Sequence, residues 1–148
     1  MSDSDEMQAV VSRKLHDMDL IFFANLVNRS EVGVALTLFI SGTLITGSLI
    51  SGKKYYAAMQ DKFVSYDADS YGAFLKEHFS NSHQIYDPEI KDVDAGEEAS
   101  QKSLPLNFIH LENVSFQTGS GAFTALNGGL LRLKIEEVDG YILGSSSN

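Results

Sequence analysis

Cysteine is absent from this 148-residue chain, and basic residues are scarce. Without cysteine there are no disulfides, no thiolate metal ligands and no cysteine nucleophile. Only 11 Lys and Arg stand against 20 Asp and Glu, which gives a formal net charge of −9 and a pI near 4.7. A chain of this charge repels phosphate backbones and anionic lipid surfaces overall. We therefore expect no nucleic acid among its partners.

A secretory leader pattern is also missing from the N-terminus. The first residues, MSDSDEM, are acidic and lack the basic and apolar segments of a signal peptide. We therefore expect a cytoplasmic location. The length fits a single domain over residues 1–148, and a folded chain of this size buries about 70% of the surface that its unfolded form exposes.

Charge is missing altogether from one long stretch, since no Asp, Glu, Lys or Arg occurs from Val32 to Gly52. Its length, about 20 residues, is that of a membrane helix. Four glycines and six serines or threonines interrupt it, and apolar residues recur at period two from Val32 to Ile40. A break at Ser41–Gly42 precedes a second β-branched segment. We therefore predict two strands joined by a tight glycine turn, and no membrane-spanning helix.

Apolar residues at three- and four-residue steps predict a helix near the N-terminus: Met7, Val10, Val11, Leu15 and Met18. The segment DLIFFANLV continues as a buried helix, with Asp17 or Asp19 favourably placed near its start. We expect Phe22 and Phe23 of this helix to pack in the core.

Two further helices are predicted after the hairpin. GKKYYAAMQDKF places Tyr55, Met59 and Phe63 on one face, with Ser51 as the N-cap. SYGAFLKEHF forms the second helix, with Asp69 as a candidate N-cap. Its apolar side consists of Tyr71, Phe74, Leu75, His78 and Phe79.

Residues 80–103 are polar and acidic and show no sustained period. We expect a mobile acidic loop there, inside the domain, because strand-like sequence returns after it. Residues 145–148, with the sequence SSSN after a glycine, are expected to form a disordered tail.

The segment after this loop predicts strands. LNFIHLENVSF alternates until Glu112–Asn113, where we expect a bulge or bend. His110 on this strand is expected to be a hydrogen-bonded or rim histidine. LRLKIE alternates as a half-exposed strand, and Asp139–Gly140 indicates a two-residue hairpin to a closing strand, YILG.

These elements predict an α+β fold. A curved antiparallel sheet of about four to six strands carries the N-terminal and inserted helices, which pack on one side of it. The glycines supply the curvature. The predicted core contains Leu36, Leu38, Ile45, Ile50, Met59, Phe63, Phe108, Leu111, Leu133 and Ile135.

No group of residues predicts catalysis, a cofactor site or a metal site. His78 and His83 stand five residues apart, so they do not share a helix face as zinc-binding histidines four apart would. The glycines around Ser120 lack the order and setting of a nucleophile elbow. Glu137 and Asp139 could share a strand face, but no neighbouring residue would tune their pKa values. We therefore expect a protein that acts by binding.

Three segments, taken in order, resemble a known family: FISGTLITGSLISGKKYY, NFIHLENVSF and LRLKIEEVDGYILG. The chain is similar to the gas vesicle accessory proteins called gas vesicle protein U. The first segment matches the family through Gly42, Ile45, Gly47, Ile50 and Ser51. The second matches through Phe108 to Leu111, and the third through Glu137 to Gly144.

The resemblance implies a non-catalytic accessory protein without cofactors. It would associate with gas vesicles, the protein-walled, gas-filled compartments of some prokaryotes, and act by protein–protein interaction in their assembly or clustering. The implied partners are the vesicle shell or other gas vesicle proteins. The acidic N-terminus and the acidic loop do not match the family pattern, so contacts made through them do not follow from it.

Two alternatives stay open at this point. Gly42 to Leu49 also follows the G-x-x-x-x-G-x-L pattern of an Sm-like RNA-binding hairpin. However, the Asp and Asn that such proteins place after this hairpin are absent, and the net charge of −9 opposes RNA binding. The other alternative is a generic soluble interaction domain.

The closing strands raise the question of self-association. Half-exposed strands such as LLRLKIE and YILG leave a sheet edge available for pairing, and salt would weaken the repulsion between acidic copies. We therefore hypothesise reversible homo-oligomers that grow with ionic strength. The alternative is an acidic monomer whose edge is protected by Arg132 and Lys134.

Overall fold

The computed structural model describes residues 16–63, 67, 70–90, 103–117, 119 and 121–145. These residues form three helices, a six-stranded antiparallel sheet and one 3₁₀ turn, and no pairing among them closes the sheet into a barrel. The predicted α+β class is therefore confirmed. The elements are α1 (Met18–Ser30), β1 (Val34–Ile40), β2 (Thr43–Ile50), α2 (Gly52–Asp61), α3 (Tyr71–Ile85), β3 (Phe108–Gln117), β4 (Thr124–Ala125), β5 (Leu131–Lys134), the 3₁₀ turn (Ile135–Glu137) and β6 (Gly140–Leu143).

The charge-free stretch forms the hairpin β1–β2. Ser41 and Gly42 have φ angles of 47° and 81°, the left-handed conformations that a tight hairpin turn requires. The two strands pair from Val34 opposite Leu49 to Ile40 opposite Thr43. The predicted hairpin is confirmed. In the part of the chain that the structure describes, no helix has the length and hydropathy needed to cross a membrane.

The sheet has the order β4-β3-β2-β1-β6, and β5 pairs with β3 beside β4. The predicted hairpin at Asp139–Gly140 is therefore wrong, because β6 pairs with β1 at the opposite edge and not with β5. The 3₁₀ turn redirects the chain between them. Asp139 fixes the new path: its backbone N–H donates to the carbonyl oxygen of Phe39 over 2.8 Å, and its Oδ2 accepts from the backbone N–H of Ser41 over 2.9 Å.

A bulge lies where β3 pairs with β2. Thr46 is opposite Ser115 and Ser48 is opposite Glu112, so β3 contains one residue more than β2 between these pairs. Asn113 at this point has a φ of 53°. This confirms the bulge that the sequence predicts there. Gly47 faces it, and a Cβ atom at this glycine would lie 3.0 Å from the carbonyl oxygen of Glu112, so the close approach favours glycine.

Helices cover both faces of the sheet, which corrects the expectation of one covered side. Leu49 and Ile50 are neighbours on β2 and therefore point to opposite faces. Leu49 packs in the main core with residues of α1, while Ile50 packs in a second cluster with Tyr55 and Tyr86. The insertion between β2 and β3 thus supplies a separate helical layer.

Helix α1 begins where the acidic residues predict. The side chain of Asp17 caps it by accepting from the backbone N–H groups of Asp19 and Leu20. The expectation that Phe22 is a core residue is wrong, because its side chain is 62% exposed. Phe22 follows the buried Leu20 by two residues, which is about 200° around a helix and places it on the outer face.

Helices α2 and α3 begin at serine N-caps. Ser51 Oγ accepts from the backbone N–H of Lys54 over 2.9 Å, as predicted. The cap of α3 is Ser70 and not Asp69, since Ser70 Oγ accepts from the backbone N–H of Ala73. Helix α3 continues to Ile85, so residues 80–85, predicted as the first part of a loop, are helical. Three predicted segments lie wholly or mostly outside the described residues: the rest of that loop, the helix before residue 16 and the tail at residues 146–148.

The predicted core is partly confirmed. Leu36, Leu38, Ile50, Leu111 and Ile135 are buried. The other five predicted core residues are half-buried: Ile45, Met59, Phe63, Phe108 and Leu133. Val32 lies before β1 and is 59% exposed, so the inner face of the strand starts later than the period predicts.

Candidate functional site

Three tyrosines, a histidine and an arginine lie together between the sheet and the α2–α3 layer. We call this group the tyrosine–histidine cluster; its members are Tyr55, Tyr56, Tyr86, His110 and Arg132. His110 is 1% exposed and lies opposite Arg132 in the β3–β5 pair. The rings of Tyr55 and Tyr86 lie 4.6 and 5.3 Å from the His110 ring, measured between centroids. Every ring of the cluster therefore contacts the histidine or its neighbours.

Arg132 joins the two layers. Its Nη1 lies 2.8 Å from Nε2 of His110 and donates to the hydroxyl oxygen of Tyr86 over 3.3 Å. The guanidinium carbon lies 3.7 Å from the ring centroid of Phe108, which is cation–π distance. Since a guanidinium can only donate, the Nε2 atom of His110 is the acceptor and the imidazole is neutral. Burial of His110, together with the positive charge of Arg132, lowers the pKa of its imidazole to about 3.

A close approach between α2 and the end of α3 completes this packing. A Cβ atom at Gly52 would lie 2.2 Å from Cδ1 of Tyr86, so only glycine fits there. The backbone N–H of Gly52 donates to Oδ1 of the buried Asn28 over 2.8 Å and links this layer to α1. His110 is 1% exposed, and its Nε2 already accepts from Arg132, so the geometry of this histidine is that of a packed residue. We assign the cluster a structural role.

The other residues considered from sequence do not come together. His16 and His78 are exposed, His83 is half-buried, and Ser120 lies outside the described residues. Asp139 stabilises the turn after β1, where its Oδ2 accepts from the backbone N–H of Ser41. Within the described ranges, no three His, Asp or Glu side chains are close enough to hold a metal ion.

Open clefts occur on the described surface. One, of about 320 Å³, is lined by His16, Asn107, Phe108, Lys134 and Glu136. Another, of about 270 Å³, lies beside the bulge of β3 and the turn that follows β4. In the first cleft, the described lining residues supply an ammonium and a carboxylate group of opposite charge, so this lining does not indicate a strongly charged ligand.

The most unusual feature of the surface is exposed apolar area on α1 and β6. Met18, Phe22 and Leu26 recur every four residues along α1 and are 72%, 62% and 41% exposed. On β6, Leu143 lies on the same face as Tyr141 and is 60% exposed, whereas Ile142, which is 54% exposed, points to the opposite face of the sheet. We call Met18, Phe22, Leu26 and Leu143 the α1–β6 surface. A sequence stripe at helical spacing could have indicated it, but such a stripe is also the pattern of a core face.

Contacts between α1 and β6 hold the two parts of this surface side by side. The ring of Phe23 packs edge-on against Tyr141 with centroids 5.5 Å apart, and Phe22 packs against Phe23 at 5.9 Å. The Tyr141 hydroxyl donates to Oδ2 of Asp19 over 2.5 Å. This hydrogen bond raises the pKa of the Tyr141 hydroxyl. The helix is thus fixed beside the edge strand.

A second apolar region lies on α3. Its members are Tyr71, Phe74, Leu75 and Ile85, which are 90%, 64%, 43% and 49% exposed. The sequence predicts an apolar side here, yet only Phe79 of that side packs inward, against Tyr56. The α3 helix therefore carries most of its apolar side on the outside of the molecule.

The three segments that resemble a known family occupy defined places in the fold. The first contains the β1–β2 turn, the glycine that faces the bulge and the N-cap of α2. The second begins β3 and carries His110. The third contains the 3₁₀ turn, Asp139 and β6, which returns to the first segment at the β1–β2 turn. The family pattern thus corresponds to the contacts that set the sheet order.

In a comparison with protein families, residues 17–146 match a family model described as gas vesicle protein GvpU-like. Searches of curated proteins and of solved structures found no match. The matched region contains every helix and strand described above. The chain therefore belongs to the GvpU-like family of gas vesicle proteins.

Proposed function

We propose that the chain is a non-catalytic accessory protein of gas vesicles that acts by protein–protein interaction in their assembly or clustering. The observation that carries this proposal is the family match over residues 17–146. Its partner is the vesicle shell or another gas vesicle protein, and its location is the cytoplasm where the vesicles lie. Neither a nucleic acid nor a cofactor is needed for this role.

The exposed apolar side chains support a binding role. Single exposed apolar residues are ordinary, but contiguous apolar surface on a soluble protein marks an interaction site. Phe22, Phe23 and Tyr141 contact one another in series, which places the exposed apolar residues of α1 beside those of β6. The chemistry of the described residues offers surface for binding and no arrangement of groups for a reaction.

The Sm-like RNA-binding alternative has less support. Helix α2 starts at Gly52, directly after the hairpin that would have to present the RNA-binding residues. Arg132 is held by His110, Tyr86 and Phe108 inside the tyrosine–histidine cluster, so it is not presented to a phosphate. The net charge of −9 further disfavours RNA.

Flotation tests the proposal directly. Purified chain is mixed with intact gas vesicles and centrifuged at low speed, so that the vesicles rise. We expect the chain in the floating layer, and we expect it to leave that layer when the vesicles have first been collapsed by pressure. An unrelated acidic protein of similar size is the control for trapping. Equal amounts of the chain in the top layer with and without vesicles would contradict the proposal.

A further inference from the structure

Strand β6 forms one edge of the sheet. The backbone N–H of Gly144 donates to the carbonyl oxygen of Ala35 over 2.8 Å. In an antiparallel pair the hydrogen-bonded positions alternate, so Ile142 and Gly140 also face β1. The backbone groups of Tyr141 and Leu143 then point away from β1, and no strand of the described chain pairs with that side. Within the described part of the chain, these outward donors and acceptors have no strand partner.

This edge carries no charge and no proline that would block pairing. Natural edge strands are often short, as β6 is with four residues, and they carry charged residues, prolines or bulges that hinder addition of another strand. Residues 140–148 contain no charged residue and no proline. Strand β5 at the other side of the sheet does contain Arg132 and Lys134. The contrast indicates that the β6 edge is left open for pairing.

Helix α1 lies alongside the open edge and would cover one face of an added strand. The ring of Phe23 contacts Tyr141, and the Tyr141 hydroxyl donates a hydrogen bond to Asp19. This part of α1 therefore lies next to β6. Phe22 and Leu26 follow on the same side of the helix and are exposed. A strand beside β6 would bury its inward side chains against these residues.

The charges near this edge are negative. Asp19 lies at Tyr141, and Asp139 directly precedes β6. Both carboxylates are therefore near the end of the edge where β6 begins. An incoming strand with Lys or Arg at that end would be attracted, whereas an acidic one would be repelled.

We propose that the β6 edge and the adjoining face of α1 bind an extended segment of a partner protein, which adds to the sheet as a further strand. The segment has alternating aliphatic residues and basic residues at the end beside Asp19 and Asp139. Main-chain hydrogen bonds to Tyr141 and Leu143 supply affinity. Contacts of α1 with every second side chain of the segment supply specificity. This rests on the proposed function, because it specifies how the chain would contact another gas vesicle protein.

A second copy of the chain fits this edge less well. The Arg132 side chain of its basic strand β5 is held by His110 and Phe108, so it does not reach the carboxylates at this edge. Two chains of charge −9 also repel each other at low salt. A basic segment of another protein would supply free positive charges and would not be repelled by the acidic chain.

The first experiment uses a synthetic peptide of alternating valine and threonine with two lysines at one end. In amide NMR spectra of the full chain, we expect the peptide to shift the signals of Tyr141 and Leu143 and to slow their hydrogen exchange. A peptide with N-methyl groups on alternate residues, which cannot complete the ladder, is the matched control. Shifts that occur equally with both peptides, or that spare β6, would overturn the proposal.

The second experiment changes the edge itself. Leu143→Pro removes one outward donor while the residues that face β1 keep theirs, and Leu143→Ala removes the same side chain but keeps the donor. We expect Leu143→Pro to weaken peptide binding about tenfold and Leu143→Ala to weaken it much less. Asp19→Asn should weaken binding of the lysine peptide and leave an uncharged version unchanged. Equal affinities of the proline and alanine variants would contradict edge pairing.

Sedimentation and flotation separate the remaining outcomes. A dimer that forms without peptide and that Leu143→Pro abolishes would show that a second copy occupies the edge, which overturns the partner proposal. If Leu143→Pro floats with vesicles as well as the unchanged chain does, the edge is not the contact, while the proposed function stands. If the unchanged chain does not float, the proposed function fails, and the peptide results still decide whether the edge binds strands.

Discussion

His110 is the residue with the strongest electrostatic constraint in the described structure. Its imidazole is buried among tyrosines and lies 2.8 Å from a permanently charged guanidinium, so a proton on it would place two cations side by side. The folded state therefore binds this proton only near pH 3, whereas an unfolded chain binds it near pH 6.5. Above about pH 6.5 both states are neutral at this site, and the packing contributes fully to stability.

The first prediction concerns acid stability. As pH falls below about 6.5, His110 binds a proton in the unfolded state but not in the folded state. The free energy of unfolding therefore decreases. Between pH 7.5 and 5.5 we expect a loss of about 1.4 kcal/mol from this group. Urea unfolding at both pH values measures it. His110→Gln keeps an acceptor for Arg132 but does not titrate, and an equal loss in this variant would exclude His110 as the cause.

Helix α1 has two apolar faces, one buried in the core and one exposed on the surface. Leu20, Ala24 and Val27 are buried against the sheet, while Met18 and Phe22 are exposed on the other side. The helix therefore contributes to the core and to the candidate interaction surface at the same time. Changes on its two faces should have separate effects.

The second prediction separates these faces. Leu20→Ala should lower the free energy of unfolding by about 2–5 kcal/mol, because it removes a fully buried side chain. Phe22→Ser should change it by less than about 0.5 kcal/mol, because its side chain is mostly exposed. Flotation with gas vesicles should show the reverse order for folded variants, with Phe22→Ser reducing binding. A large loss of stability in Phe22→Ser would place this residue in the core after all.

Comparison of elements shows which sequence patterns are informative. The β1–β2 hairpin could be predicted because its period, its glycine and its turn are all local. The pairing of β6 could not, because Asp139–Gly140 has a hairpin sequence while three residues before it form a 3₁₀ turn that sends the chain to the far edge. Likewise, apolar residues at helical spacing do not show by themselves whether they face the core or the solvent.

The candidate sites show the same limit. His110 and Arg132 are neighbours only through the β3–β5 pairing, and Tyr55 and Tyr86 reach them from two different helices. No spacing within one segment reveals such a cluster. The α1–β6 surface also joins residues from the first helix and the last strand described, so it depends on the sheet order.

At the scale of the whole molecule, net charge and exposed apolar side chains have opposite effects on self-association. The net charge of −9 keeps copies apart, while the exposed apolar side chains of α1 and α3 favour contact. Salt screens the repulsion over a Debye length of about 10 Å at 0.1 M but leaves apolar contacts intact. The balance between monomers and oligomers should therefore depend on ionic strength.

The third prediction concerns that balance. We expect the average mass from light scattering to rise reversibly with salt, and also as pH falls toward the pI near 4.7. Dilution into low salt should restore the starting mass. The alternative is an acidic monomer protected by Arg132 and Lys134, and a constant monomer mass from low to high salt would establish it.

The return of β6 to β1 has a consequence for how the protein is made. Thr37 Oγ1 donates to the carbonyl oxygen of Gly144, a partner 107 residues later in the chain. During synthesis on the ribosome, the hairpin emerges long before the strand that covers its outer edge. Strand β1 therefore stays unpaired on one side until residues 140–143 have left the exit tunnel, and the nascent chain exposes a sheet edge throughout that interval.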